Sequence, residues 1–579
     1  MFDILIRGGQ IIDGSGQAAF PADLGIRQGR IAAIGDLSQA EAARCEDAGG
    51  KYLTPGFIDT HSHADCSAFL YPSCESYLRQ GITTFIGGQC GDANAPINNY
   101  WMRKYWEYDL WQEMDPFVFN PRTVLPVEQV LPVIERRCGY KIKWKSFGEY
   151  AQVLRDQGLG CNMLTLAGHS QIRADVMGLD QARRPTAAEM RQMQEHIEEA
   201  FAAGVWGLST GRDYPPSAYA DLDELKQLIS FTRDLGGYYF THWKRTGVRI
   251  GTPAAPNKLA GILEALDLCL ELGVKTQISH LSTGFDVYPM LPEMEKRAAE
   301  LTLEIIDSYI AQGADVAFDV IPGESGGICI DPYLASYFMP WIKMSGSLAH
   351  FRTNLLSRDY REELLKTLRG GGWYALNSRV DPDWDAHTYI TKSQDQTLTG
   401  RSLRDLRAGR AGDSFDLVLE LLTQEPRIMV RRNKKTMAEV RTLISHPRGG
   451  VCTDTYAFDL KGSYGDPYGL GLDELLPHPH TYCAFPKFLL ELSGGRLEDD
   501  IRKISAWPAE FMNIPQRGRL QEGYWADVLV LDRERLQSKE NYVEPRVYPQ
   551  GIDLVVVNGQ VAVDGQGYHG ALPGRLLSR

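Results

Sequence analysis

Apolar and polar positions alternate through residues 3–35, in D-I-L-I-R-G-G-Q-I-I-D-G and A-D-L-G-I-R-Q-G-R-I-A-A-I-G, with glycines punctuating the runs. A two-residue period turns one face of each run toward a core, so short strands joined by tight turns are predicted. The same texture returns at 524–532 (Y-W-A-D-V-L-V-L-D) and 552–563 (I-D-L-V-V-V-N-G-Q-V-A-V), where Asn558-Gly559 marks a hairpin turn. Between these ends the period changes. Eight short apolar runs recur: F-I-D-T-H, T-T-F-I-G-G, N-M-L-T-L-A-G-H, G-V-W-G-L-S-T, Y-Y-F-T-H, K-T-Q-I-S-H, A-D-V-A-F-D-V and V-C-T-D. Helical patterns such as Thr186–Ala203 and Leu222–Leu235 separate most of them, and Pro185-Thr186 followed by Glu189 is a helix-start signal. The pattern predicts an α/β chain. Its centre is a (β/α)8 TIM-type barrel at residues 54–515, with a small β-sandwich domain formed by both chain termini, 1–53 and 516–579. Two stretches break the alternation. Asn98–Asp115 is dense in aromatics, with Trp101, Tyr105 and Tyr108 at helical spacing, and reads as core or subunit packing ahead of a substrate lid. Residues 323–450 read as a long mixed helix-and-strand region without finer division.

A barrel of this kind carries its chemistry at the C-terminal ends of its strands. The stretch Leu53–Asp65 (L-T-P-G-F-I-D-T-H-S-H-A-D) turns at Pro55-Gly56, runs apolar through Phe57 and Ile58, and ends in His61 and His63. Two residues apart on a strand, these imidazoles share a face and suit one metal ion such as zinc. Cys90, His169, His242, His280 and Asp454 end later strands and are predicted to meet them at one mouth. Singly, a cysteine is more often an inert buried thiol and a histidine more often structural. Convergence makes them ligand candidates. Asp459 competes with Asp454 but lies beyond the strand end.

Composition narrows the partners. The 579 residues are 43% hydrophobic and 23% charged, with a net charge of −13. That acidity argues against nucleic acid, and a small-molecule substrate is expected instead. No basic stretch followed by an apolar run opens the sequence, and no run of about twenty apolar residues suggests a membrane span. Ten irregularly spaced cysteines fit reduced thiols in a cytoplasmic protein, and assembly into a homo-oligomer stays open.

H-x-H after P-G-F-I-D, histidines ending the fifth and sixth strands and an aspartate ending the eighth resemble the amidohydrolase superfamily. More narrowly, T-T-F-I-G-G-Q-C-G, W-K-S-F-G-E-Y, L-A-G-H-S-Q-I-R, G-V-W-G-L-S-T-G, P-H-P-H-T-Y-C-A-F-P-K and the tail R-G-R-L-Q-E-G-Y-W-A-D-V-L-V-L-D resemble the D-aminoacylase (N-acyl-D-amino-acid deacylase) branch. The resemblance covers nearly the whole chain except an insertion at about 92–143. It implies one tight zinc ion on Cys90, His242 and His280, a second and weaker site on His61, His63 and Cys90, and Asp454 as proton shuttle. The implied reaction is zinc-dependent hydrolysis of a linear amide, the deacylation of an N-acyl-D-amino acid or a related D-residue-containing compound.

The departures from the family pattern fall on substrate-facing positions. S-H-L-S stands where the family has S-H-H-K, placing Ser282 at the lysine. His480 replaces the arginine of H-P-R, and Ile321 and Gly323 replace two tyrosines. Arg173, Lys244 and Arg245 are the candidate replacements for the lost positive charge. Weak activity on simple N-acetyl-D-amino acids is therefore expected, with larger substrates meeting the insertion around Trp101–Trp111. Two rivals are weaker. A cyclic-amide hydrolase of the hydantoinase or dihydroorotase type wants a carboxylatable lysine ending the fourth strand, where Gly207-Leu208-Ser209-Thr210 offers none. A non-catalytic scaffold should have lost metal ligands, and all six candidates are present.

Overall fold

Both ends of the chain meet in one nine-stranded sheet. Strands Phe2–Ile11, Phe20–Arg27, Arg30–Gly35, Ala42–Asp47 and Tyr52–Pro55 join Val528–Leu531, Ile552–Val557, Gln560–Asp564 and Gly567–Tyr568. The seam between the two ends is the antiparallel pairing of Tyr52–Pro55 with Val528–Leu531. Alternation then sorts side chains. Val528, Val530, Leu554 and Val556 pack with Ile4, Ile6 and other residues of the N-terminal strands in a small core. Leu529, Leu531, Val555 and Val557 face the main core instead. Asn558 and Gly559 both take left-handed backbone (φ 48° and 78°), which the two-residue hairpin requires. The computed structural model describes residues 1–114, 124–245, 258–328, 333–372, 376–379, 381–466 and 469–579.

The eight expected central strands form. They are β1 (Phe57–Asp59), β2 (Ile82–Ile86), β3 in two pieces (Asn162–Leu164 and Ala167–Gly168), β4 (Gly207–Gly211), β5 (Tyr238–His242), β6 (Thr276–Ile278), β7 (Val316–Val320) and β8 (Gly449–Val451). All pair in parallel, as one ladder over β1, β2 and the first piece of β3 and a second from the later piece of β3 through β8. Side chains on both faces of β2, β4, β5 and β7 are buried, as in a parallel sheet covered by helices. Where the ladders meet, the Trp206 N–H donates to Thr165 O at 2.9 Å. At the far ends, Thr60 Oγ1 donates to Val451 O (3.0 Å) and the Asp454 N–H to His61 O (3.0 Å), tying β1 to β8.

Helices follow their sequence signals. Ala187–Ala203 is capped by a reciprocal Thr186–Glu189 box, and Leu222–Asp234 starts at Asp221, whose carboxylate accepts the Glu224 N–H. Among the described residues of the aromatic segment, Trp101, Trp106, Leu110 and Met114 are core. Trp101 lies in a strand paired with Val124–Pro126 rather than on a helix, and Trp106 and Trp144 pack edge-on against Phe69. The side chains of Tyr105, Tyr108 and Trp111, and residues 115–123, lie outside the described residues. A second inserted body, unresolved by the sequence pattern, lies between β7 and β8. Helices including Leu348–Asn354, Arg358–Arg369 and Ser414–Gln424 enclose their own apolar core beside an antiparallel pair, Thr388–Lys392 with Met429–Arg432.

Candidate active site

The site grows from the exits of the strands. Asp59, the last residue of β1, accepts the N–H groups of His61 (3.2 Å) and Thr453 (3.1 Å) and the Thr453 hydroxyl (2.6 Å). This clamp holds the exits of β1 and β8 side by side, and burial drives the Asp59 carboxyl up to about 7. Beyond β2, the G-G-Q-C-G turn is squeezed between neighbours. A Cβ on Gly91 would lie 2.4 Å from Ser170 Oγ, and its backbone is left-handed (φ 78°). Ser209, on β4, anchors the turn by accepting the Gly91 N–H (2.9 Å) and donating to Gly88 O. Cys90 (φ 57°), His280 (φ 36°) and Asp454 (φ 53°) all occupy left-handed backbone. Non-glycine residues adopt it rarely, and such strain concentrates at functional sites.

These turns bring ligand atoms together. Cys90 Sγ lies 3.4 Å from His61 Nε2, 3.6 Å from His242 Nδ1 and 3.6 Å from His280 Nε2. Asp454 Oδ1 is 3.3 Å from Nε2 of both His61 and His63. The ligand atoms of His61, Cys90, His280 and Asp454 all fall within 4.8 Å of one another. Charge is balanced inside the cluster. Burial alone would raise the Cys90 thiol, but the imidazoles of His61, His242 and His280 hold it well below its usual value. Burial likewise opposes ionisation of Asp454, and His280, His61 and His63 outweigh it. His242 is pushed down to about 3 by burial, His280 and Arg245, so it stays a neutral donor. Burial would lower His61 and His63, but Cys90, Asp319 and Asp454 hold His61 well above its usual value, and Asp454 and Cys90 raise His63 to about 9. A thiolate, imidazoles that a metal would deprotonate and a carboxylate sharing one buried centre fit a zinc-type ion.

The amidohydrolase family profile matches residues 44–251 and 378–563. The chain belongs to the amidohydrolase family. It is 28% identical to the D-aminoacylase of Alcaligenes xylosoxydans xylosoxydans over all of this chain and 98% of that protein. It is 29% identical to the N-acyl-D-glutamate deacylase of the same organism, over all of this chain and 96% of the relative. Among solved structures, a D-aminoacylase with a binuclear metal centre superposes with TM-score 0.68 at 26% identity, both chains fully covered. The zinc- and phosphonate-bound N-acyl-D-glutamate deacylase of Bordetella bronchiseptica gives the same score and identity, again over both full chains. The protein is thus a metal-dependent amidohydrolase.

Two carboxylates of this amidohydrolase, neither singled out from the sequence, stand behind the imidazoles. Asp319, near the end of β7, is wholly buried with Oδ2 3.7 Å from His61 Nδ1. It also accepts the His280 N–H and Gln277 Nε2, each at 2.6 Å. Asp92 Oδ2 is 3.5 Å from His63 Nδ1. Both stand where carboxylates behind metal-ligating histidines orient the rings, while Asp59 acts on the His61 backbone N–H. The run A-D-V-A-F-D-V, a strand ending in a carboxylate like that of β8, was the available signal for Asp319.

His169 does not join the cluster. Its Nδ1 lies 2.5 Å from Ser217 Oγ and its Nε2 2.9 Å from Glu224 Oε1, so both nitrogens are engaged away from Cys90. Of the candidate substrate contacts, Arg173 is fully buried on Glu224 (2.9 Å) and on the carbonyls of Gln181 and Arg183, so its charge is neutralised inside the protein. Arg245 is half-buried and donates to His280 Nδ1 at 2.6 Å, directly over the cluster. Lys244 and Ser282 are half-buried beside β5 and β6. His480, at the start of helix His480–Glu491, is fully buried, and neither ring nitrogen has a hydrogen-bond partner.

Proposed function

We propose that this amidohydrolase hydrolyses a linear amide, removing the acyl group from an N-acyl-D-amino acid or a related D-residue-containing compound. One observation carries the reading: a buried cysteine thiol held among three imidazoles, with the Asp454 carboxylate across the same space. The similarity to D-aminoacylase and N-acyl-D-glutamate deacylase along the full chain supports it. Cys90, His242 and His280 would hold the tighter zinc ion, and His61, His63 and Cys90 a weaker second one. When bound, zinc supplies acidification of water and polarisation of the amide carbonyl. Asp454, ionised and 3.3 Å from both His61 and His63, takes the proton of the attacking water and returns it to the leaving nitrogen. The two parallel ladders, tied at both junctions, support closure as a (β/α)8 barrel, and the terminal sheet's separate small core supports its folding as a sandwich. The test is metal analysis of the purified protein with turnover of N-acyl-amino acids and dipeptides of both hands. Release of D-amino acids that depends on stoichiometric zinc is expected. Zinc-free protein of equal activity, or turnover confined to L-substrates, defeats the reading.

A further inference from the structure

Each imidazole of the cluster presents one nitrogen to the shared centre and turns the other to whatever stands behind it. Carboxylates stand behind two of them, with Asp319 Oδ2 3.7 Å from His61 Nδ1 and Asp92 Oδ2 3.5 Å from His63 Nδ1. An ionised carboxylate only accepts, so it favours a proton on Nδ1 and leaves the Nε2 lone pair for a metal. His280 is backed the other way. Its Nε2 faces Cys90 Sγ at 3.6 Å, and behind it the Arg245 guanidinium lies 2.6 Å from Nδ1.

An arginine side chain only donates and keeps its proton inside proteins. His280 Nδ1 is therefore the acceptor of that bond, and the proton of the neutral ring sits on Nε2, the nitrogen that would ligate. A metal ion on Nε2 needs the lone pair there. The proton must then leave Nε2 while one settles on Nδ1, with no net change in the charge of the ring. Nδ1–H and the guanidinium N–H would point at each other, donor against donor. One contact has to yield. The positive charge of the guanidinium, held directly behind the ring, adds repulsion of the ion itself.

Arg245 is built to be the group that yields. It lies three residues beyond the end of β5 and is half-buried, and Asp213 Oδ1 accepts its backbone N–H at 3.2 Å. Its guanidinium also lies over the Trp243 ring, 5.2 Å from the centroid. That aromatic face gives the head group a second contact that does not involve His280.

We propose that Arg245 competes with the metal ion for His280: it holds the ring in the tautomer that refuses a ligand bond, and loading of the ion displaces the guanidinium from Nδ1. The inference rests on the reading of His280 as a zinc ligand. It makes Arg245 a positioning residue that sets how readily the centre is filled.

The test is zinc affinity, measured by competition with a chromophoric chelator at fixed pH in metal-free wild type and three variants. Arg245→Gln offers Nδ1–H an acceptor, Arg245→Met removes both donor and charge, and Arg245→Lys keeps both. Zinc should bind about 10- to 100-fold tighter to Arg245→Gln and Arg245→Met, the scale on which groups behind a metal-bound histidine act. Arg245→Lys should bind it about as weakly as wild type. Crystal structures of wild type with and without zinc give a readout that needs no variant, because the guanidinium should leave hydrogen-bond distance of Nδ1 in the zinc form. Equal or weaker affinity in Arg245→Gln and Arg245→Met overturns the inference alone. So does the same shift in all three variants, or a guanidinium still bonded to Nδ1 with zinc on Nε2. If wild type and every variant bind no zinc, the zinc reading fails and the competition falls with it.

Discussion

The metal cluster and the buried His169 site hold their histidines differently. Both ring nitrogens of His169 are engaged, Nδ1 by Ser217 and Nε2 by Glu224. In the cluster the rings face Cys90 and Asp454, and Asp319 and Asp92 stand 3.7 and 3.5 Å behind His61 and His63. Among the described residues, His61 Nδ1, His63 Nδ1 and His242 Nε2 have no hydrogen-bond partner. Internal pairing fixes a side chain before anything binds, whereas a buried polar group left unmatched costs stability until something meets it. The His169 arrangement holds the fold, and the cluster fits a metal ion.

Substitutions sharpen that contrast in descending order of effect. Cys90→Ala removes the sulfur at the centre of the cluster, and zinc content and turnover should both fall to background; full metal and turnover in the variant would remove the thiol from the ligand set. Asp454→Asn should keep its metal and lose about 10²–10⁴ in kcat, the span of a removed general acid–base group. Near-normal turnover, or the same loss from Asp459→Asn, would move the proton transfer elsewhere. Asp319→Asn acts through His61 and the His280 backbone and should cost about 10- to 100-fold in metal affinity or activity, as carboxylates behind metal ligands do. A metal titration unchanged from wild type would reduce Asp319 to a packing residue.

The smallest effect lies at Glu439 and is one of stability. Burial raises the Glu439 carboxyl to about 7, against which the nearby Lys435 works only in part. A carboxyl whose folded pKa is raised binds more protons in the native than in the unfolded chain between about pH 4.5 and 7. Stability should therefore decline as pH rises through that window. Glu439→Gln should flatten the decline, by roughly 3 kcal/mol at neutral pH from the size of the shift. Denaturant titrations at pH 4.5 and 7.5 measure it, and parallel curves for variant and wild type would contradict the burial argument.

How much of this was legible depended on how local each cause is. The helix starting at Thr186 and the hairpin at Asn558-Gly559 form where the sequence pattern predicts them, because capping and turn geometry involve neighbours within a few residues. The cluster residues were legible because all end apolar strands, and parallel strands gather their exits at one face. His169 had the same signature and turned to Ser217 and Glu224, since which side of the exit a side chain faces depends on the loop beyond it. Trp101 and Trp106, read as core ahead of a substrate lid, are core: Trp106 packs edge-on against Phe69, and the Trp101 indole N–H donates to Glu107 inside the fold. Lys435 carried no signal at all: one lysine in R-R-N-K-K-T-M reads as solvated surface until the inserted body buries it.

The sequence by itself determined the periodic elements, the strand exits rich in histidine, and the family pattern they spell. Each of these follows from interactions repeated along the chain at short range. Only the tertiary structure decided which polar groups share a space: Cys90 with His61, His242 and His280, Asp454 with His61 and His63, and Asp319 behind His61. Those pairings join residues tens to hundreds of positions apart. Their energies depend on burial and on which charge has already been neutralised, and neither is written in the order of the residues.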